Sequence, residues 1–269
     1  MLNFVYKCFI ITKEGDEMLK TKRQQAIMTL CELHGVVTVK FIQEQLHVSD
    51  MTIRRDLDEL ASQNRLIRVH GGAKSLSFES EKPIELSHGE KKQLHSREKE
   101  FIAKNAAAAI QEGDTIFLGT GTTIELMTKY LPQKRLRIIT NSLPVFNLLT
   151  TNEQHDLYLI GGAYRKITGA FVGSIAIETI QKLSIQKAFV GVNGIMEEFV
   201  STFSIEEGKF QQLVLDKAQQ KFLVADANKF NQNAFYNFYN LNKIDGLYTD
   251  DTINEAVKNY YKQYTNIMQ

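Results

Sequence analysis

A run of glycines and threonines in the middle of the chain has the composition of a phosphate-binding loop. Gly119-Thr120-Gly121-Thr122-Thr123 follows an apolar run that ends at Leu118. Glycines let the backbone approach an anion, and threonine hydroxyls and the amides that begin a helix can donate hydrogen bonds to it. The loop lacks the lysine of a Walker motif, and Ile124 stands where a Rossmann fingerprint would need another glycine. A glycine turn with capping threonines is the alternative without a ligand.

Polar residues and glycines also follow the later apolar runs. Because ligands of open α/β sheets bind beyond the carboxyl ends of the strands, several such residues together favour a binding site over simple turns. Glu206 and Glu207 begin a helical segment and are either partners of the helix dipole or ligands of sugar hydroxyls. Besides the loop, the candidate ligand-binding residues are Asn141, Ser142, Gly161, Gly162, Asn193, Gly194, Glu206, Asp226 and Lys229.

Two adjacent arginines near the start of an amphipathic segment have the chemistry of a DNA-reading helix. Ser49 is the predicted N-cap, and Asp50 lies at the positive end of the helix dipole. Ile53, Leu57 and Leu60 recur at helical spacing and are expected to face a core. The residues left on another face are Met51, Thr52, Arg54 and Arg55. One arginine can bind a guanine edge while the other holds a phosphate.

The segments around these arginines predict a winged helix-turn-helix. A helix is expected over Lys20–His34, and Thr38 caps a second helix ahead of a three-residue turn, His47–Ser49. Arg65–Ala73 alternates and has Gly71-Gly72 for a tight return, which indicates a β-hairpin wing. Residues expected to hold DNA phosphates are Lys40, Arg68, His70 and Lys74, with Thr38 and Ser49 as caps that also offer hydroxyls. The alternative is a plain three-helix bundle.

From Asp114 onward short apolar runs alternate with helical segments, which predicts a mostly parallel sheet covered on both faces. The predicted strands are Thr115–Leu118, Arg137–Ile139, Leu157–Ile160, Ala188–Val190, Phe222–Ala225 and Gly246–Tyr248. The predicted helices are Thr122–Leu131, Leu143–Thr150, Ile175–Leu183, Ile205–Ala218 and Asn254–Gln263. The fold class is therefore α/β.

Length and composition agree with two domains. The chain has 269 residues, 43% of them hydrophobic, and a net charge of +1, so any DNA-binding surface must be local. The two cysteines make no disulfide framework or metal motif, and no apolar run is long enough for a membrane span. We expect an extension over residues 1–17 ahead of a natural start at Met18, a DNA-binding domain over 18–75, a polar linker over 76–95 and an α/β sensor domain over 96–269.

The segments Val37–Asp56 and Arg65–Ala73 resemble the DeoR family of bacterial repressors. The family hallmark reads valine-serine, threonine-isoleucine-arginine-arginine-aspartate, then arginine-x-histidine-glycine-glycine-alanine, and all of it is present here. Ala73–Ser75, Glu85–His88 and Ala225–Tyr239 are similar to the branch of the family that controls lactose phosphotransferase systems. Asp114–Asp250 resembles the family's sensor domain, which is similar in fold to ribose-5-phosphate isomerase.

The resemblance implies a cytoplasmic, homo-oligomeric repressor, dimer or tetramer, of a lactose or galactose operon, released from operator DNA by a phosphorylated sugar such as tagatose 6-phosphate. It implies no cofactor, metal or catalytic residue. Thr120–Thr123 matches the phosphate loop of the isomerase fold. Tyr164–Gly173 matches a family segment in which Arg165 either reaches a phosphate or lies on the surface.

Two other functions remain open from the sequence. A sugar-phosphate isomerase with an added DNA domain is one, but Asn193 replaces a catalytic carboxylate of the isomerases and Ser201–Ser204 lacks their lysine. An asparagine is not a carboxylate base, so the acid–base set is incomplete. An activator or nucleoid-type binder without a small effector is the other alternative.

Overall fold

The computed structural model describes residues 19–69, 71–75 and 85–269, and for residues 32–34 and 36 it describes the backbone alone. The chain divides into two compact units, Met1–Lys82 and Pro83–Gln269. The expected extension over residues 1–17, His70 and the first part of the predicted linker lie outside the described residues.

The first unit is a winged helix-turn-helix, as predicted. Its elements are α1 (Lys20–His34), β1 (Val36–Thr38), α2 (Val39–Leu46), α3 (Asp50–Ser62), β2 (Leu66–Val69) and β3 (Gly72–Ser75). The Thr38 side chain accepts a hydrogen bond from the Phe41 amide at 3.1 Å, and Ser49 accepts one from the Thr52 amide at 3.3 Å, so both predicted N-caps are confirmed. Ile53, Leu57 and Leu60 are fully buried, which confirms the apolar face of α3.

The wing has a third strand that the sequence pattern did not indicate. β3 pairs antiparallel with both β2 and β1, with Val37 opposite Ala73 and Thr38 opposite Gly72. At Gly72 an added Cβ would lie 2.1 Å from the Val37 carbonyl oxygen, so this pairing requires glycine. β1 has only three residues, and its pairing with β3 comes from tertiary contact rather than from local periodicity.

The second unit is a parallel α/β domain, so the fold class is confirmed. Its helices are α4 (His88–Gln93), α5 (Ser96–Ala107), α6 (Thr122–Met127), α7 (Leu143–Leu149), α8 (Ser174–Gln181), α9 (Ile205–Lys217) and α10 (Glu255–Tyr261). Its strands are β4 (Thr115–Leu118), β5 (Arg137–Thr140), β6 (Asp156–Leu159), β7 (Ala163–Arg165), β8 (Ala170–Val172), β9 (Ile185–Gly191), β10 (Gly194–Met196), β11 (Phe199–Thr202), β12 (Ala218–Val224), β13 (Tyr236–Asn240), β14 (Gly246–Tyr248) and β15 (Ile267–Met268).

Seven parallel strands form the main sheet in the order β15-β14-β12-β9-β4-β5-β6. Successive residues of a strand enter two different cores: Ile116 and Leu118 pack in one, and Phe117 packs in the other. Ile102, Ala103 and Ala106 of α5 cover the first face. Phe210, Val214 and Leu215 of α9 cover the second. The continuous apolar runs are therefore strands buried on both sides.

Three smaller features were not predicted. β7 and β8 form a hairpin, β10, β11 and β13 form a small antiparallel sheet, and β15 adds an edge strand. The prediction of a linker over residues 76–95 also needs correction from Glu85 onward. Ser87 and Glu90 form a capping box that starts α4, and the His88 amide donates to the Ile167 carbonyl at 2.9 Å, which holds this stretch in the second unit. No helix among the described ranges has the length and apolar character needed to cross a membrane.

Candidate functional site

One cavity of the second unit lies where the carboxyl ends of three neighbouring strands meet. β12, β9 and β4 are adjacent in the sheet, so the loops after Val224, Gly191 and Leu118 converge. These loops line a cavity of about 80 Å³ with Thr120–Thr123, Asn193, Asp226 and Lys229. Parallel α/β sheets bind ligands at this kind of edge.

The threonine loop enters the cavity at the start of α6. Gly121 has φ +127°, a conformation that a residue with a Cβ rarely adopts, and the helix begins directly after it. Thr120, Thr122 and Thr123 are at most 9% exposed, and all three line the cavity. The first-turn amides of a helix have no acceptor within the helix. Amides and hydroxyls together make this wall a set of hydrogen-bond donors for an anion.

Three lysines place positive charge around the same cavity: Lys91 from α4, Lys99 from α5 and Lys229 after β12. Lys99 is 6% exposed, and its Nζ donates to the carbonyl oxygens of Leu94, at 2.6 Å, and of Lys91. Burial lowers the pKa of Lys91 and of Lys99. The charge of Glu85 opposes this shift at Lys91 and that of Asp226 opposes it at Lys99, while Lys229 lowers both pKa values. A bound anion would relieve this mutual repulsion, so the cluster suits a negatively charged ligand.

α4 is itself a wall of the cavity and is held to α6, the helix that follows the threonine loop. His88 and Lys91 line the cavity, and the His88 Nε2 contacts the buried carboxylate of Glu125 on α6. Lys99 holds the other end of α4 through the carbonyl contacts described above. The segment that enters the second unit is thus fixed at both ends by residues at the cavity.

A buried acidic network borders the opposite side. Glu207 on α9 is 3% exposed, lines the cavity and accepts a hydrogen bond from the Thr168 hydroxyl. Arg165 Nη1 lies 3.6 Å from Glu207 Oε1 and donates to Glu85 Oε1 at 2.8 Å. Burial raises the pKa of Glu207, while the Thr168 hydrogen bond and the Arg165 charge oppose that rise.

A second, larger cavity of about 240 Å³ adjoins the first and shares its lysines, Asn193 and Asp226. Its additional polar lining is mostly carboxamides, namely Asn228, Gln232 and Asn233. Carboxamides both donate and accept hydrogen bonds, as hydroxyls do. Cations and donors at one end and carboxamides at the other suit a molecule with an anionic group and a hydroxylated body.

The structure brings seven of the predicted ligand-binding residues together at this cavity: Thr120, Gly121, Thr122, Thr123, Asn193, Asp226 and Lys229. Asn141 and Ser142 do not line it, because β5 lies one strand beyond β4 and the β7–β8 hairpin packs on its end. The Asn141 side chain donates to the Phe171 carbonyl at 3.0 Å, and the Phe171 amide donates to the Asn141 carbonyl at 2.8 Å. Ser142 caps α7.

Other predicted residues also lie outside the cavity lining. Gly119 continues the pairing of β4 with β9, through its amide and the Phe189 carbonyl at 2.9 Å. Gly161 and Gly162 follow the edge strand β6, and Gly194 lies in β10. Arg165 is held by Glu85 and Glu207 rather than facing the cavity as a phosphate ligand.

Glu206 was predicted to bind the ligand, but it lies on a different face of α9 from the residues that line the cavity. It is exposed, whereas Glu207 is buried at the cavity. Glu207, Phe210 and Val214 lie on one face of α9, and the buried positions of that face identify Glu207 as the inward carboxylate. Both glutamates were considered from the sequence and Glu206 was selected; the apolar spacing of the helix, extended back to its start, favours Glu207.

Further cavity residues were missed: His88, Lys91, Lys99, Thr168 and Gln211. His88 and Lys91 stand in a segment that resembled a solvated linker, and no local signal separates them from its other charges. Lys99 was detectable, since it shares a helical face with Ile102, Ala103 and Ala106 and would be a buried cation there.

In the first unit, α3 presents an exposed face. Met51 is 65% exposed, and Arg54 and Arg55 are exposed beside it. Arg54 donates to both carboxylate oxygens of Asp50, at 2.5 Å and 3.2 Å. That hydrogen bonding holds the pKa of Asp50 below its ordinary value of 3.8. The pair fixes the guanidinium of Arg54 along the helix surface, one turn from the N-cap.

Other predicted DNA contacts have structural partners. Arg68 Nε lies 2.9 Å from Asp58, and its Nη1 donates to the Gly72 carbonyl at 2.9 Å, so it also braces the wing. Lys40 is exposed and Lys74 is half-buried. His70 lies outside the described residues. Beneath this surface Arg23 of α1 pairs with Asp56 of α3, whose side chain is 3% exposed.

Two family models match the chain. A DeoR-like helix-turn-helix domain matches residues 23–79, and a DeoR C terminal sensor domain matches residues 94–251. The second match alone spans more than half of the chain, and each match lies within one of the two compact units.

Relatives match over nearly the full length. The chain is 45% identical over 255 residues to a lactose phosphotransferase system repressor of Lactococcus lactis subsp. lactis, which covers 94% of this chain and 99% of that protein. It is 39% identical over 253 residues to the protein of the same name from Streptococcus mutans serotype c, covering 93% and 100%. The Staphylococcus aureus (strain NCTC 8325) protein of that name is 40% identical over 248 residues, covering 90% and 98%.

Similarity to solved structures is weaker. A ribose 5-phosphate isomerase from Methanocaldococcus jannaschii is 19% identical, with 49% of this chain and 53% of that one covered and a TM-score of 0.35. The eIF2B delta structure from Chaetomium thermophilum is 15% identical, with 58% and 57% covered and a TM-score of 0.45. At these values the similarity carries no argument about function.

Proposed function

Because the chain belongs to the DeoR family, we propose that it is a DNA-binding repressor of a sugar-catabolic operon that leaves its operator when a phosphorylated sugar binds the second unit. The observation that carries this proposal is the combination, in one chain, of an exposed arginine face on a helix-turn-helix and a cavity lined by a threonine loop and three lysines. The names of the relatives favour a regulator over the isomerase alternative.

In the first unit α3 enters the major groove of the operator. Arg54, oriented by Asp50, reads a base edge, and Met51 and Thr52 contact neighbouring bases. The exposed cations Arg55 and Lys40, together with the half-buried Lys74, hold phosphates. Net charge is only +1, so affinity comes from local placement and from pairing two such units on two half-sites. We therefore propose a symmetric homo-oligomer, dimer or tetramer, that works in the bacterial cytoplasm.

In the second unit the effector's phosphate lies at Thr120–Thr123 with Lys91, Lys99 and Lys229 around it. The hydroxylated carbon chain extends past Asn193 and Asp226 toward the carboxamides of the adjoining cavity. Tagatose 6-phosphate, an intermediate in the use of lactose or galactose, is the proposed effector. Release requires that the effector bind the DNA-free state more tightly than the DNA-bound state.

A gel shift on the DNA upstream of the chain's own gene, titrated with sugar phosphates, tests the proposal. The full chain is expected to bind this DNA more tightly than random DNA and to release it with tagatose 6-phosphate but not with tagatose. The matched variant Thr122→Ala with Thr123→Ala is expected to bind operator as the wild type does and to need at least about tenfold more effector for release.

Two outcomes would contradict the proposal. Operator binding that no sugar phosphate changes favours a DNA binder without a small effector. Proton exchange of sugar phosphates into deuterated water, abolished by Glu207→Gln or Asp226→Asn, would revive the isomerase alternative.

A further inference from the structure

Gln211 is a buried carboxamide at the cavity with an unused hydrogen-bond acceptor. It lies on α9 one turn after Glu207 and lines the same cavity. Its side chain is 6% exposed, and its Oε1 has no hydrogen-bond partner within the part of the chain that the structure describes. Buried polar atoms are nearly always paired, so an unpaired one at a binding cavity needs an explanation.

Four neighbouring polar side chains of the cavity, those of Asn193, Asp226, Glu207 and Lys99, have protein partners. The Asn193 Oδ1 accepts from the Thr202 hydroxyl at 3.1 Å, and the Asp226 Oδ1 accepts from the Asn228 amide at 3.1 Å. Glu207 accepts from Thr168, and Lys99 donates to two carbonyls. These groups are held in place by the fold. The acceptor of Gln211 contrasts with them, because no donor in the described ranges pairs with it.

We propose that Gln211 is a specificity-determining residue that binds a hydroxyl group of the effector and so separates a phosphorylated sugar from phosphate alone. The dianionic phosphoryl group of a sugar phosphate has acceptors only and cannot pair with a carboxamide oxygen, whereas a sugar hydroxyl can donate to it. The ligand class is therefore a phosphorylated molecule that also carries a hydroxyl group.

This inference rests on the proposed function, because it assumes that the cavity is the effector site. It also explains why a polar residue is kept on a helix face shared with Phe210, Val214 and Leu215, which are fully buried. A residue that serves binding at the expense of packing leaves the ligand-free protein less stable than an apolar substitute would.

The test compares Gln211→Met with the wild type, using the full chain, titration calorimetry and thermal melting. Methionine has similar length and flexibility but makes no comparable hydrogen bond. The matched control is Gln212→Met, the exposed next residue. The probes are inorganic phosphate and the member of a sugar-phosphate panel, tagatose 6-phosphate included, that binds the wild type most tightly.

We expect Gln211→Met to weaken binding of the sugar phosphate about tenfold and to change the affinity for inorganic phosphate by less than about twofold. The melting temperature without ligand should stay the same or rise. Gln212→Met should change none of these. The inference is overturned if Gln211→Met lowers the affinity for both ligands equally or for neither. It is also overturned if the wild type does not bind any sugar phosphate more tightly than inorganic phosphate. If a gel shift shows that the sugar phosphate does not release the wild type from operator, the proposed function is contradicted. A loss of preference for sugar phosphate over inorganic phosphate in Gln211→Met would still support the role of Gln211.

Discussion

Arg165 donates a hydrogen bond to Glu85 across 80 residues of sequence, with its Nη1 at 2.8 Å from Glu85 Oε1 and its Nη2 contacting the second carboxylate oxygen. Both side chains are largely buried, at 23% and 12% exposure. Glu85 is the first described residue after the 76–84 stretch, and Arg165 also neighbours Glu207 at the cavity. The arginine therefore joins the entry of the second unit to the wall of the cavity that we propose as the effector site.

Replacing this arginine should disturb both ends of that connection. In Arg165→Met two carboxylates, Glu85 and Glu207, lose their shared cation, so we expect a lower melting temperature and about tenfold weaker binding of the sugar phosphate. Glu85→Gln removes the charge of one of the two carboxylates that Arg165 pairs with. The Arg165→Met, Glu85→Gln double variant should therefore lose less binding free energy than the sum of the losses in the two single variants. A double-mutant cycle by calorimetry measures the coupling, and strictly additive effects would refute a functional connection.

Effector binding should take up protons. Burial, together with Lys229 and Lys91, lowers the pKa of Lys99, and a bound phosphate dianion raises it back toward the ordinary 10.5. Between these two pKa values the bound protein holds more protons than the free one, so affinity falls as pH rises through that window. Calorimetry in two buffers of different ionisation enthalpy, above about pH 8 where the phosphate stays a dianion, measures the uptake.

The same lowered pKa has a consequence for the free protein. Unfolded Lys99 binds a proton that the folded form has begun to lose, so the stability of the second unit should rise with pH between the lowered pKa and 10.5. Lys99→Met is the control, and it should reduce both the proton uptake and this pH dependence. Proton release on binding, or uptake unchanged in the variant, would show that another group titrates.

Operator selectivity should depend on Arg54 more than on Arg55. The Asp50 carboxylate orients Arg54, so Arg54→Ala is expected to cost about 1–3 kcal/mol on operator for a lost bidentate base contact and less on random DNA. Arg55→Ala should weaken both DNAs alike and reduce the salt dependence of binding. Gel shifts at several salt concentrations separate the two roles. If Arg54→Ala does not change the ratio of the affinities for operator and for random DNA, a residue other than Arg54 reads the bases.

The stability of the first unit should depend on Asp56. Its carboxylate is 3% exposed and pairs with Arg23, whose Nη2 lies 3.1 Å from Oδ1, so Asp56→Ala leaves a partly buried cation without that partner. We expect a loss of about 3–5 kcal/mol in the free energy of unfolding of this unit. Asp58→Ala, at an exposed carboxylate, is the matched control, with an expected change below about 1 kcal/mol. Denaturant melts that place both variants within error of each other would exclude this role for Asp56.

The sequence by itself determined the elements and the type of chemistry. Capping residues such as Ser49 and Thr38 and apolar spacing such as Ile53, Leu57 and Leu60 define the helix-turn-helix, because helix ends and helix faces are set by local geometry. The same holds for the strands after Asp114 and for the loop at Gly121, whose backbone conformation needs glycine.

Only the tertiary structure decided which of those elements meet. The order of strands in a sheet depends on pairing between segments far apart in the sequence, and the local periodicity of apolar residues does not predict it. The adjacency of β12, β9 and β4 therefore brings Asp226, Asn193 and Thr122 to one cavity and leaves Asn141 beneath the β7–β8 hairpin. A stretch that was predicted to be a linker also lines the cavity. It is held there because the buried Lys99 donates a hydrogen bond to the Lys91 carbonyl.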